Sequence, residues 1–442
     1  MNLKRLPCLL AAFLLLAGCA STRNQEPETI VEEKPIERAA VTFFTDDPSG
    51  YFASAAEKLR QEDDSLAPSL IAAGENAAEE LRSLLLSGAA PDAVWLSPEN
   101  DRGIYRALKE DGALYALDSL VSEEARAASS LWTGGLLPFY DGMLSAPEAV
   151  HEGKTVGLPM TYETAGLLIK QENLPEAGLP ANLEALLALD KEDSPALFGY
   201  PQDFPACLEP FALPYFAVSG GKLRLSAADW TEEDLASGET NGSLQTAAEK
   251  LAGLAPCLYT AAPQADLETV YTAFAENKLL FMPGDEAAMD LLRTEYAVDS
   301  PILLAAAPTE EAPYLLCAPT SFLYLPAAAQ NPEAAMRWVS LALGESQLGE
   351  MADKLGFLPP LKGSASHLEG YAGQAAALLE NGATAYCGSF AKGEEETELF
   401  NQFYLSLSEL LNGDLTAGEW AEGMREALSG PEEETAASSA AA

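Results

Sequence analysis

Apolar and polar positions follow two rhythms along the chain. Ala40 to Thr45 is a short, nearly continuous apolar run, the mark of a buried strand. Tyr51 to Glu62 follows with Phe52, Ala55, Ala56 and Leu59 at helical spacing. Ser69 to Ala73 reads as a second strand. Asn76, with Glu79 three residues later, has the form of a capping box, Leu81, Leu84 and Leu85 make an inner stripe, and Gly88 suits a helix stop. Ala93 to Leu96 reads as a third strand. Strand, helix, strand, helix, strand at this spacing predicts parallel strands with crossover helices, an α/β fold. Such sheets bind ligands beyond the C-terminal strand ends. The segments after the three strands therefore supply candidate ligand residues: Phe44, Asp46 and Ser49 from the first, Glu75 from the second, Ser97 and Glu99 from the third.

Composition narrows the function. Apolar residues make up 48% of the 442, ample for large buried cores and too many for a disordered chain. This length suggests about three domains, or two large lobes. Acidic residues outnumber basic ones 68 to 25, for a net charge of −43. That balance argues against nucleic-acid binding and against electrostatic docking on an anionic membrane, both of which need basic patches. Only two histidines occur, His151 and His367, both expected in exposed loops, so multi-histidine metal sites are not expected. No C-x-x-C pair suggests a zinc ribbon or a thioredoxin-like site. Neither a metal nor a cofactor is expected.

The two ends read differently from the body. Lys4 and Arg5 form a basic start, Leu6 to Ala17 is apolar but too short for a resident membrane helix, and the stretch ends in Leu16-Ala17-Gly18-Cys19. This resembles a bacterial lipoprotein signal peptide over 1–18, cleaved so that Cys19 is acylated with palmitate-type chains and anchors the protein outside the cytoplasmic membrane. The alternative is a plain secretory signal with an incidental cysteine. Residues 19–39 are polar and rich in Glu and Pro, a flexible tether, and 431–442 reads as a disordered tail. Cys207, Cys257, Cys317 and Cys387 remain in the body, as small buried apolar residues or in one of three disulfide pairings.

Catalytic signatures are sparse. Gly153-Lys154-Thr155 has the ending of a phosphate loop, but the position five before Gly153 is Glu148, not glycine. No G-x-S-x-G elbow, H-E-x-x-H helix or calcium-loop pattern occurs. The doublets Asp46-Asp47 and Asp285-Glu286 could form a glycosidase pair or accept hydrogen bonds from a polar or cationic ligand; ligand contact is the favoured reading. Phe44, Tyr162, Phe211, Tyr215, Phe322, Tyr324 and Phe357 offer flat faces for a sugar, against the alternative of core packing. Tyr162 leads, because it follows the Leu158-Pro159 pair in Met160-Thr161-Tyr162-Glu163, and Glu163 joins the candidates.

The order of motifs resembles the bacterial extracellular solute-binding proteins of the carbohydrate type, family 1, from about Ala40 to Leu428. The stretches that carry this are Val41-Thr42-Phe43-Phe44, Ser87 to Val94 around Pro91-Asp92, Asp111 to Asp118, Glu152 to Pro159, Asn331 to Ala335, Gly356 to Pro360, and Gly413 to Leu428. The resemblance implies a periplasmic-binding-protein-like fold: two α/β lobes joined by crossing strands, with a hinge and an interlobe ligand cleft. The N-terminal lobe would hold 40–155 and 315–358, the other 160–305 and 360–428. It implies no enzyme activity. Its partners would be a small solute, most readily a sugar or oligosaccharide, and the permease subunits of an ABC importer, with a monomeric receptor touching the membrane through its lipid alone. Two positions depart from the family. Phe44-Thr45-Asp46-Asp47 and Gly284-Asp285-Glu286 stand where many members carry a tryptophan for sugar stacking. The alternatives are an exported glycan-acting enzyme and a surface lipoprotein with a degenerate cleft.

Overall fold

The computed structural model describes residues 38–101, 103–121, 138–176, 178–190, 195–219, 238–259, 265–309, 312–387 and 394–429. The expected signal peptide, the lipidated Cys19, all but the last residues of the tether and the 431–442 tail lie outside the described residues.

The opening five elements follow the sequence pattern. Strand β1 (Ala39–Thr45) pairs in parallel with β2 (Leu66–Ala72) and β3 (Ala93–Trp95), giving the order β2-β1-β3. Helix α1 (Tyr51–Glu62) buries Tyr51, Phe52, Ala55, Ala56 and Leu59 on one stripe. Asp47 starts it, accepting from the Ser49 amide at 2.8 Å and the Phe52 amide at 3.3 Å. Helix α2 (Ala77–Leu86) buries Leu81, while Leu84 and Leu85 only half-pack. The capping box does not form: Asn76 sits at the N-cap without a side-chain bond, and Glu80 instead reaches back to the Gly74 amide at 3.0 Å. Gly88 follows the helix at φ +74°, a left-handed turn glycine tolerates cheaply.

The hairpin of β4 (Val150–His151) and β5 (Lys154–Thr155) turns at Glu152-Gly153, both at positive φ. Gly153-Lys154-Thr155 is thus a turn, and His151 lies half-buried in a strand rather than in an exposed loop. Next comes β6 (Leu158–Lys170), 13 residues long. Its first half pairs antiparallel with β11 (Pro313–Tyr324), which continues to β3. Its second half pairs with β8 (Leu279–Asp285) and β9 (Ile302–Ala305), and β7 (Ala196–Phe198) extends β8 in parallel. The short β10 (Ala307–Pro308) and β12 (Thr384–Tyr386) complete the sheet along β11. One strand path, β2-β1-β3-β11-β6-β8-β7, therefore runs through two α/β regions, with β6 and β11 as the crossing strands.

Helices cover the sheet on both faces. Helices α3 (Glu209–Ser219), α4 (Gly238–Leu251), α10 (Glu394–Asn412) and α11 (Ala417–Ser429) enclose one core, where Phe216 stacks on Trp420 at 4.7 Å. Helices α5 (Leu267–Ala275), α6 (Glu286–Thr294), α7 (Pro332–Ala342), α8 (Leu348–Leu355) and α9 (Gly370–Glu380) contribute to the other with α1. There Phe43 packs between Phe52 at 4.5 Å and Trp338 at 5.0 Å. Cys207, Cys257, Cys317 and Cys387 are free thiols, all buried except the half-buried Cys207. Among the described residues no helix is long and apolar enough to cross a membrane.

Candidate functional site

The site grows out of a defect in the crossing strands. Tyr162 on β6 faces Pro319 on β11, and the register slips on either side of Ser321. Proline has no N–H for the ladder, so strand pairing loosens and bulges there. Hydroxyls replace part of the lost bonding: Thr161 Oγ1 lies 2.7 Å from both Thr320 Oγ1 and Ser321 Oγ, and Trp95 Nε1 donates to Ser321 Oγ at 3.2 Å.

Beside this knot opens a cavity of about 740 Å³, with residues 161–165 of β6 and Leu316 and Ala318 of β11 along one wall. Helix α9 supplies Tyr371, Ala372 and Ala375; the Tyr371 hydroxyl donates to the Thr164 carbonyl at 2.9 Å, tying helix to strand. The β8–α6 turn supplies Asp285, Glu286 and Asp290. Asp285 caps α6, accepting from the Ala288 amide at 2.8 Å, and Asp290 pairs with Arg293 at 3.5 Å. Glu209 enters from the start of α3. The opposite lip is Gly356-Phe357-Leu358, where Gly356 at φ +72° ends α8 and redirects the chain. Phe357 also leans on Trp95, their rings 5.6 Å apart. Burial pushes the Tyr162 phenol well above its usual range, with Cys317 and Glu380 adding to the shift. Burial does the same to Tyr371, and Asp285 and Glu286 raise it further. Both hydroxyls therefore stay protonated at physiological pH; Tyr371 spends its proton on the Thr164 carbonyl.

The structure gathers Tyr162, Glu163, Asp285, Glu286 and Phe357 around this cavity. It places the other candidates elsewhere. Phe44, on β1, is fully buried in the core it shares with α1, and Phe211 and Tyr215 lie in the second core. Phe322 stacks on Tyr105 at 4.4 Å, with Tyr324 tilted against the same ring. Asp46 is half-buried and already engaged, accepting from the Ser97 amide at 2.9 Å and Asn100 Nδ2 at 2.7 Å. Ser97 and Ser49 are spent on Asp46 and Asp47, and Glu75 and Glu99 are exposed away from the cavity. Thr161, Thr164, Glu209, Asp290 and Tyr371 went unpredicted. Asp290 had a readable signal, since it lies one turn beyond Glu286 on the same helix face.

The family profile for bacterial extracellular solute-binding proteins matches residues 71–378. The chain belongs to that family. It is a family of binding proteins rather than enzymes, acting outside the cytoplasm. Among solved structures, the family 1 extracellular solute-binding protein of Alicyclobacillus acidocaldarius subsp. acidocaldarius DSM 446 aligns with a TM-score of 0.56 at 15% identity, over 88% of this chain and 98% of that one. Apo RafE from Streptococcus pneumoniae aligns at 0.53 and 16%, over 90% and 98%. The cyclic α-maltosyl-1,6-maltose binding protein of Arthrobacter globiformis aligns at 0.51 and 15%, over 89% and 98%. At such identities the likeness is one of fold: the two-lobe architecture. No curated protein matches the chain.

Proposed function

We propose that this solute-binding protein is a lipid-anchored receptor that traps a sugar-class solute and presents it to an ABC importer. The observation that carries the reading is the cavity itself, in which aromatic rings and carboxylates from the crossing strands, α9, the β8–α6 turn and the 356–358 lip face one space. The Arthrobacter relative, named for the maltose-type sugar it binds, supports a sugar as the solute. In this reading the lobes are 40–155 with 315–358, and 160–305 with 360–428. Phe357 and Leu358 then fall in the first lobe and Tyr371, Asp285 and Glu286 in the second, whose α6 and α9 share one continuous hydrophobic core with α1 and α8. A ligand touching both binds the closed form better than the open one, so it shifts the population toward closure. No bond is made or broken. Cys19 carries the lipid, and the receptor works as a monomer against permease subunits. The test is a thermal-shift screen of the full chain against sugars, peptides and polyamines. A receptor gains stability by mass action from one solute class; a flat response to all of them contradicts the reading.

A further inference from the structure

The cavity wall is lopsided in its hydrogen bonding. Five of its side chains are carboxylates: Glu163, Glu209, Asp285, Glu286 and Asp290. Its side-chain donors are the hydroxyls of Thr161, Tyr162, Thr164 and Tyr371, and no Lys, Arg, His, Asn, Gln or Trp lines it among the described residues. Two of those hydroxyls are already engaged, Tyr371 with the Thr164 carbonyl and Thr161 with Thr320 and Ser321. Among the acids, Asp285 accepts from the Ala288 amide and Asp290 pairs with Arg293. A neutral sugar offers acceptors as well as donors, and its ring and hydroxyl oxygens would find few partners on this wall. An ammonium group only donates.

Charge points the same way. Closing the cleft on a neutral ligand strips water from several carboxylates without supplying a counter-charge, which low-polarity surroundings make costly. A bound ammonium removes that cost through charge-assisted hydrogen bonds. The rings of Tyr162, Phe357 and Tyr371 add faces that attract a cation or the C–H side of a sugar. Among the described residues no three of His, Cys, Asp or Glu gather closely enough to hold a metal ion. The acids are spread along the wall, suiting an extended ligand. A net charge of −43 also draws cations toward the protein.

We infer that the cavity takes a sugar bearing free, protonated amines in preference to a neutral one, with Glu163 and Glu286 as the principal carboxylates. The antiparallel register of Ala165 with Asp285 brings these two to the same end of the β6–β8 ladder, and both are exposed to an entering ligand. This rests on the receptor reading above and specifies its solute.

The test is calorimetric titration of the full chain with three probes: the β-1,4-linked glucosamine tetramer, its fully N-acetylated counterpart and maltotetraose. N-acetylation removes the charge but adds an acetyl group to each sugar, and maltotetraose is neutral without those groups. The expected result is one-to-one binding of the free-amine tetramer, at least about tenfold tighter than either neutral probe and weakened by added salt. The Glu163→Gln, Glu286→Gln double variant, isosteric and on exposed positions, should keep its melting temperature and lose about tenfold for the amine probe. Equal or tighter binding of a neutral probe overturns the inference and leaves the receptor reading standing. Binding of several amine tetramers per chain, untouched by the double variant, marks diffuse attraction to the acidic surface and also overturns it. Binding of none of the three overturns it as well; the receptor reading falls separately, only if the wider screen also yields no solute.

Discussion

Tyr162 and Phe322 are both aromatic, both on crossing strands, and opposite in expected behaviour. Tyr162 is half-buried against the cavity, whereas Phe322 is stacked under Tyr105. Tyr162→Ala should cost about 1–3 kcal/mol of ligand affinity from lost area and a hydroxyl, with a smaller loss of stability than a core truncation. Phe322→Ala should cost roughly 3–5 kcal/mol of stability and leave affinity per folded molecule nearly unchanged. Melting curves and titrations on both variants check this, and the reverse pattern would move the cleft. Asp46→Ala frees the Ser97 amide and Asn100, so about 1–3 kcal/mol of stability should go, read as a shifted urea midpoint. Aromatic type alone could not sort these residues. In a sheet covered on both faces, successive strand positions are buried alike, as Phe43 and Phe44 are, so alternation does not reveal which ring faces a ligand.

At the scale of elements, one carboxylate clamps α8 to α1 beside their shared core and the Lys58–Gln347 hydrogen bond. Glu350 accepts from Lys58 on α1, from Ser54 at 2.6 Å and from Lys354 at 2.9 Å. Lys58 first, then Ser54 and Lys354, hold its carboxyl down at about 2. Because the folded value lies below the unfolded one, this support is complete above the ordinary glutamate range and is lost as pH falls through it toward about 2. Glu350→Gln should lower stability by about 1 kcal/mol near neutrality, since the site is partly exposed, and flatten the acid limb of the melting temperature against pH. Parallel limbs for parent and variant would contradict the clamp. The clamp matters to function because α8 ends at Gly356, directly before the Phe357 lip. The elements β1 to β3 with α1 and α2 were legible because each shows a clean period and a turn residue. Helix α9 was not: its Ala- and Gly-rich sequence, Gly370 to Glu380, gives little amphipathic contrast, and it hid Tyr371. Nor could periodicity reveal the slip at Pro319, which exists only in the pairing of two strands far apart in sequence.

At the scale of the molecule, the receptor proposed here joins a folded body to a lipid anchor at Cys19. Cys19→Ser should move the protein from the membrane to the soluble fraction, seen by fractionation and by loss of lipid mass; a variant still membrane-bound would refute anchoring at Cys19. In the proposed mechanism a solute closes two lobes about the crossing strands. Small-angle X-ray scattering of parent and Tyr162→Ala chains, with and without the solute that most raises the melting temperature, tests it most directly. Closure gives a smaller radius of gyration for the parent on saturation, and a smaller change for the variant at the same solute concentration. A parent that binds the solute without compacting, or a variant that compacts equally well, would contradict it.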